Sequence, residues 1–147
     1  SFTNSKIVSS SFVATSASRT IRAAPCLTSA NAFITHMEYA YTAADVVVAR
    51  SGAMTIAELS VVGRASIFVP YPFAAEDHQA ENALALVRQG AALMVRDADV
   101  ATKLLDTILE LVKDEKKIKE LEVNILKNGN TKADEVIASE ILKTIKN

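Results

Sequence analysis

Several of the residue types on which small proteins build chemistry are scarce in this chain, and each scarcity excludes something. Cys26 is the single cysteine in 147 residues, so neither an intramolecular disulfide nor a cysteine-built zinc cage can form, and a reducing cytoplasm is the expected setting. Four glycines occur, none in a Gly-x-Gly-x-x-Gly or Walker-type arrangement, which rules out glycine-rich phosphate loops in this stretch. No Gly-x-Ser-x-Gly elbow is present to present a serine nucleophile. The two histidines, His36 and His78, follow different expected strands and share no helical His-x-x-x-His spacing, so no metal site is expected. No apolar run approaches a bilayer span, and none reads as a signal-peptide core. Charge of neither sign dominates: 16 Lys and Arg stand against 17 Asp and Glu, a net charge of −1. That balance offers no bulk attraction to nucleic acid or to an anionic membrane.

What is present is apolar sequence with regular punctuation. Half of the residues are hydrophobic, enough for one domain with a substantial core. The first 31 residues stand apart, with eight Ser, four Thr, the cations Lys6, Arg19 and Arg22, and no acid before Glu38. Such composition reads as a transit peptide, a disordered linker or sequence outside the native reading frame. The expected division is therefore an atypical segment over 1–30, non-native or disordered, and an α/β domain over 31–147.

From residue 31 strands and helices alternate. Strands are expected at 32–34, 46–49, 66–69 and 92–95, with helices over 37–44, 55–62 and 76–88 between them. Apolar runs without internal alternation, separated by helices, imply βαβ units. The expected fold is a Rossmann-like parallel sheet with helices on both faces. Beyond Asp97 the chain turns helical, giving a C-terminal helical tail. Its last stripe, Ala133, Ile137, Ile141 and Ile145, recurs every fourth residue, with Thr131 and Asp134 as its cap.

Two segments bear on chemistry. In Ala49-Arg50-Ser51-Gly52-Ala53-Met54-Thr55-Ile56-Ala57-Glu58-Leu59 a strand turns into a helix start. Free backbone N–H groups and the positive end of the helix dipole then meet at one spot, a recipe for holding a phosphate or diphosphate. Gly52 lets a ligand approach the backbone closely, and Glu58 can accept sugar hydroxyls. Thr55 and Glu58 also fit a capping box, in which Glu58 reaches back to a helix N–H instead. The second segment, Pro70 to Ala83, follows a parallel strand at the edge where open α/β sheets bind ligands. Gln79 can both donate to and accept from a sugar, and Asp77 and His78 flank it; the plainer alternative is that Asp77 caps the helix while His78 and Gln79 face water.

Residues 43–59, and Val69-Pro70 together with Asp77-His78-Gln79-Ala80-Glu81-Asn82-Ala83, are similar to the nucleotide-sugar motifs of the MurG family. These peptidoglycan glycosyltransferases add N-acetylglucosamine to lipid I, giving lipid II. The likeness runs from residue 31 to the C-terminus. It implies the C-terminal, donor-binding half of a two-domain GT-B enzyme of inverting hexosyltransferase type. By the same resemblance, the segment Ala53, Met54, Thr55, Ile56, Ala57 and Glu58 wraps UDP, with Glu58 on the ribose, and Gly52 stands at its head as the position of close backbone approach. Ile34 contacts the uracil through its backbone, Gln79 reads the hydroxyls of N-acetylglucosamine, and Asp77 and His78 are candidate sugar contacts.

The resemblance assigns the catalytic base, the lipid-linked acceptor site and the membrane-facing surface to an N-terminal domain. No catalytic residue is expected here, nor any cofactor, metal or nucleic-acid partner. The partners it implies are UDP-N-acetylglucosamine and, through that other domain, a lipid acceptor at the cytoplasmic face of the bacterial inner membrane. The family's opening glycine-serine loop and first βα unit find no match in 1–30, so the chain is expected to be a fragment whose leading residues are out of frame or otherwise non-native. Two further readings stay open: another GT-B UDP-sugar enzyme, such as a glycolipid glycosyltransferase or a UDP-sugar epimerase, and a non-catalytic nucleotide-sugar-binding subunit.

Overall fold

Val46-Val47-Val48-Ala49 and Ala65-Ser66-Ile67-Phe68 carry no alternation because both sides of each run are covered: all eight residues are buried. In the computed structural model, which describes residues 7–9 and 37–145, these runs are β2 (Val46–Ala49) and β3 (Ala65–Phe68) of a parallel sheet. The sheet has four strands in the order β1-β2-β3-β4. β1 (Ile7–Ser9) sets Ile7 opposite Val46, β2 and β3 pair from Val46–Ala65 to Ala49–Phe68, and β4 (Leu93–Met94) sets Leu93 opposite Ile67.

Successive side chains feed two separate cores. Val46, Val48, Ala65 and Ile67 join Leu104, Ile108, Leu111 and Leu121 on one face. Val47, Ala49 and Phe68 join Tyr41, Leu59, Ala83, Leu86 and Ile125 on the other. Helices α4 (Leu105–Leu111) and α5 (Glu115–Leu126) therefore supply the first core, and α1 (Met37–Ala43), α2 (Ala53–Val62) and α3 (His78–Arg88) the second, with α5 contributing Ile125 there. Each large apolar side chain buried in this way stabilises by about 1.5–3 kcal/mol. The α/β architecture with helices on both faces is the one the apolar runs imply.

Boundaries shift where backbone conformation overrides pattern. α2 starts at Ala53, two residues before the expected position, because Gly52 takes the N-cap. The expected helix over 76–88 divides into a 3-10 turn, Ala75–Asp77, and α3, because Glu76 and Asp77 adopt left-handed φ values of 51° and 55°. Gly63 ends α2 at φ 70°, its N–H bonding to the Leu59 carbonyl at 2.8 Å. An ideal Cβ on Gly63 would lie 2.6 Å from the Leu126 side chain of α5, so the turn and that helix meet closely.

Three expectations fare differently. The strand expected at 32–34 lies outside the described residues. β1 stands in the Ser-rich opening segment where no strand is expected; its backbone pairs with the outer edge of β2. The stripe on α6 (Ala133–Ile145) exists, yet every residue of that helix is exposed, so the stripe adds nothing to either core. Asn130 Oδ1, accepting from the Lys132 amide at 2.9 Å, stands before α6 in place of the expected Thr131 cap. Among the described residues no helix is long and apolar enough to cross a membrane.

Candidate functional site

The corner between β2 and α2 is built by residues that turn their polar groups inward and leave the helix start bare. Ser51 is fully buried, and its Oγ donates to the Gln79 carbonyl at 2.7 Å, while Asn82 Nδ2 donates to the Ser51 carbonyl at 3.4 Å. Corner and α3 are thereby stitched together. Gly52 follows at φ −69°, a value open to any residue, and a Cβ added there meets no protein atom within 4 Å. Neither backbone strain nor internal packing accounts for a glycine here. Close approach by something outside the protein would.

No side chain caps α2. The first amide of the corner bonded within the helix is that of Ile56, to the Gly52 carbonyl at 3.0 Å. Among the described residues the amides of Ala53, Met54 and Thr55 have no protein acceptor, as the geometry of a helix N-terminus dictates. Of the segment expected to wrap a ligand, Gly52, Ala53, Met54 and Thr55 form this open edge. Ile56 has its amide engaged and packs against the core, and Ala57 lies beyond on the exposed surface of α2.

The capping-box alternative does not hold. Thr55 sits inside the helix, and Glu58 does not turn back to an N–H; its Oε2 accepts instead from the Tyr41 hydroxyl at 3.2 Å. Tyr41 is 4% exposed. Burial first, then the charge and hydrogen bond of Glu58, push its pKa up to about 12.

Across the corner lies the second segment. The Gln79 side-chain carbonyl accepts from the Tyr71 amide at 3.0 Å, which fixes the orientation of the group and leaves its NH2 as the part that can donate. Asp77 occupies the N-cap position of α3 but makes no side-chain cap bond, and His78 Nδ1 lies 2.6 Å from the Ala75 carbonyl. Both are exposed. Ile34 lies outside the described residues.

Sequence reasoning passed over Arg50, the residue that ties the loops after β3 and β4 to this edge. Its Nη1 approaches the Val69 carbonyl at 3.2 Å, the Pro70 carbonyl at 2.9 Å and Asp97 Oδ1 at 2.5 Å. Its guanidinium carbon also stands 5.6 Å from the centre of the Tyr71 ring, and that ring meets Phe73 edge-on. The available signal was a cation immediately before Ser-Gly at a buried strand end. Asp97-Ala98-Asp99, an Asp-x-Asp spacing also passed over, is committed to cations of the protein itself: Asp97 to Arg50 and Asp99 to Lys103. Among the described residues no group of three or more His, Cys, Asp or Glu could hold a metal ion. A groove of about 340 Å³ bounded by Met94, Val95, Arg96, Asp99, Lys103 and Thr107 contains none of the expected site residues.

Comparison with known proteins gives this geometry relatives. Residues 22–139 match the family model of the glycosyltransferase family 28 C-terminal domain. The chain is 44% identical, over 113 residues, to the UDP-N-acetylglucosamine--N-acetylmuramyl-(pentapeptide) pyrophosphoryl-undecaprenol N-acetylglucosamine transferase of Parabacteroides distasonis, covering 77% of this chain and 31% of that protein. The protein of the same name from Porphyromonas gingivalis is 44% identical over 115 residues, 78% of this chain and 30% of its own length. The chain thus spans under a third of the curated relatives it matches. Among solved structures, MurG of Acinetobacter baumannii superposes with a TM-score of 0.69 at 31% identity, over 76% of this chain and 32% of that one. A glycosyltransferase of kitacinnamycin shares the fold, with a TM-score of 0.55 at 23% identity.

Proposed function

The chain belongs to the glycosyltransferase family 28 C-terminal domain family, and from that membership we propose that it is the donor-binding half of an N-acetylglucosaminyltransferase of peptidoglycan synthesis. The observation that carries the reading is the uncapped start of α2: three amides without acceptors among the described residues, beside a glycine whose missing Cβ faces open space. Such an edge suits the diphosphate of UDP-N-acetylglucosamine. The names of the relatives from P. distasonis and P. gingivalis, which include that donor, support the choice of sugar nucleotide.

In this reading the amides of Ala53, Met54 and Thr55 hold the diphosphate. As the sugar is displaced, negative charge grows on the departing UDP, and fixed amides with the helix dipole stabilise it. Glu58 accepts the ribose hydroxyls, the Gln79 NH2 donates to the sugar, Asp77 and His78 border the sugar, and Ile34 meets the uracil. The muramyl hydroxyl of a polyprenyl-diphosphate lipid attacks the anomeric carbon with inversion. Acceptor, base and peripheral contact with the cytoplasmic face of the inner membrane belong to a further domain, so this chain by itself binds donor weakly and transfers nothing. Residues 31–147 carry the donor-binding residues of this reading, and residues 1–30 are the atypical segment before them, from which β1 joins the edge of the sheet.

Calorimetric titration with UDP-N-acetylglucosamine, UDP and UDP-glucose tests the assignment. The expected result is binding of UDP and tighter binding of the N-acetylated sugar nucleotide than of UDP-glucose. Preference for UDP-glucose would move the chain to a different UDP-sugar enzyme, and no binding of any of the three would remove the reading altogether.

A further inference from the structure

The hydrogen bond between Tyr41 and Glu58 has no evident duty in holding the fold. Glu58 lies on the exposed surface of α2, caps nothing and, among the described residues, accepts only from Tyr41. A bond to an exposed carboxylate adds little to stability. The donor, by contrast, is fixed to the scaffold. The Tyr41 side chain sits in the core with Val47 and Leu59, and its carbonyl accepts from Arg64 Nε at 3.0 Å. Arg64 also donates to the Thr42 carbonyl at 2.9 Å and to Glu122 of α5 at 3.3 Å. A rigid donor therefore grips a side chain that would otherwise move. Side chains on a helix lean toward its N-terminus, which directs Glu58 back toward the turn with the open amides. A glutamate left loose there would have its rotamers frozen at each binding event, at a cost in affinity.

We propose that Tyr41 is a positioning residue for Glu58, its hydroxyl holding one carboxylate oxygen so that the group is set in advance to accept the ribose hydroxyls of a bound nucleotide. The inference rests on the donor-site reading above. Because ionisation of Tyr41 is pushed up to about 12, the hydroxyl stays a donor throughout the physiological range.

The test is NMR titration of the chain with UDP and with 2′,3′-dideoxy-UDP, into the millimolar range, for wild type, Tyr41→Phe, Glu58→Gln and the double variant. Tyr41→Phe should bind UDP roughly fivefold more weakly. It should bind the dideoxy nucleotide as wild type does, and add no further loss in the Glu58→Gln background. Equal weakening toward both nucleotides, or a loss that adds in full to that of Glu58→Gln, overturns the positioning role and leaves the ribose reading standing. Wild type that binds both nucleotides alike, or neither, overturns the ribose reading and this proposal with it. The contact itself has a ligand-free readout: with isotope-labelled tyrosine, Glu58→Gln should lower the Tyr41 ionisation from about 12, and an unchanged value overturns the contact.

Discussion

Ser51 Oγ donates to the backbone carbonyl of Gln79 at 2.7 Å, joining two segments 28 positions apart in the chain. Ser51 stands immediately before the open helix start, and Gln79 carries the amide directed at the sugar in the proposed complex. One buried bond thus sets the spacing of the two halves of the site. Ser51→Ala leaves the Gln79 carbonyl without this donor and should cost about 1–3 kcal/mol of folding stability. Chemical denaturation measures it. Calorimetry on the same variant should find weaker binding of UDP-N-acetylglucosamine, because corner and loop lose their common register.

Glu58→Ala separates two roles that the local pattern leaves entangled. With Gly52 as the N-cap and no side-chain cap, the substitution removes no helix-capping bond, so the melting temperature should stay within a degree or so of wild type. UDP affinity should fall by about 1–3 kcal/mol, the worth of hydrogen bonds to a carboxylate. A lowered melting temperature with unchanged UDP affinity would reverse the assignment.

Gly63→Ala should destabilise the domain for two reasons that can be separated. At φ 70° the residue is in the left-handed region, and the new Cβ would fall 2.6 Å from Leu126. The expected loss is about 1–3 kcal/mol. Combining it with Leu126→Ala removes the clash but not the backbone cost, so the thermal midpoint of the double variant should exceed the value expected if the two single losses simply added.

Alkaline stability should register Tyr41. Its folded pKa, about 12, stands above the ordinary 10.0, so the folded state holds its proton more tightly than the unfolded chain does. The contribution is complete below pH 10 and is lost as pH climbs through the folded value. Between pH 10 and about 12, wild type should therefore lose stability relative to Tyr41→Phe, and below pH 10 their difference should stay level. Urea midpoints across that range are the measurement.

Short-range pattern made much of this molecule legible. The doubly buried strands, the stop at Gly63 and the turn after Ala49 toward a helix each depend on a few consecutive residues, and the structure has each of them, β3 one residue earlier than expected. The same local rules misjudged the start of α2 and missed the break at Glu76 and Asp77, where two non-glycine residues adopt left-handed backbone that no composition rule favours. The stripe on α6 is a true periodicity, yet its helix lies exposed, because amphipathic spacing states that a face needs cover and not what covers it.

From the residues alone came the parallel α/β plan and the bare amides before α2, since strand burial, helix periodicity and unpaired terminal N–H groups follow from neighbours along the chain. Which group faces Glu58 was decided by Tyr41, 17 positions earlier, and Arg50 was committed to partners 19, 20 and 47 positions away. Those pairings depend on how separate elements pack against one another. The fit between a fixed donor and a distant acceptor exists only once the sheet has brought them within hydrogen-bonding reach.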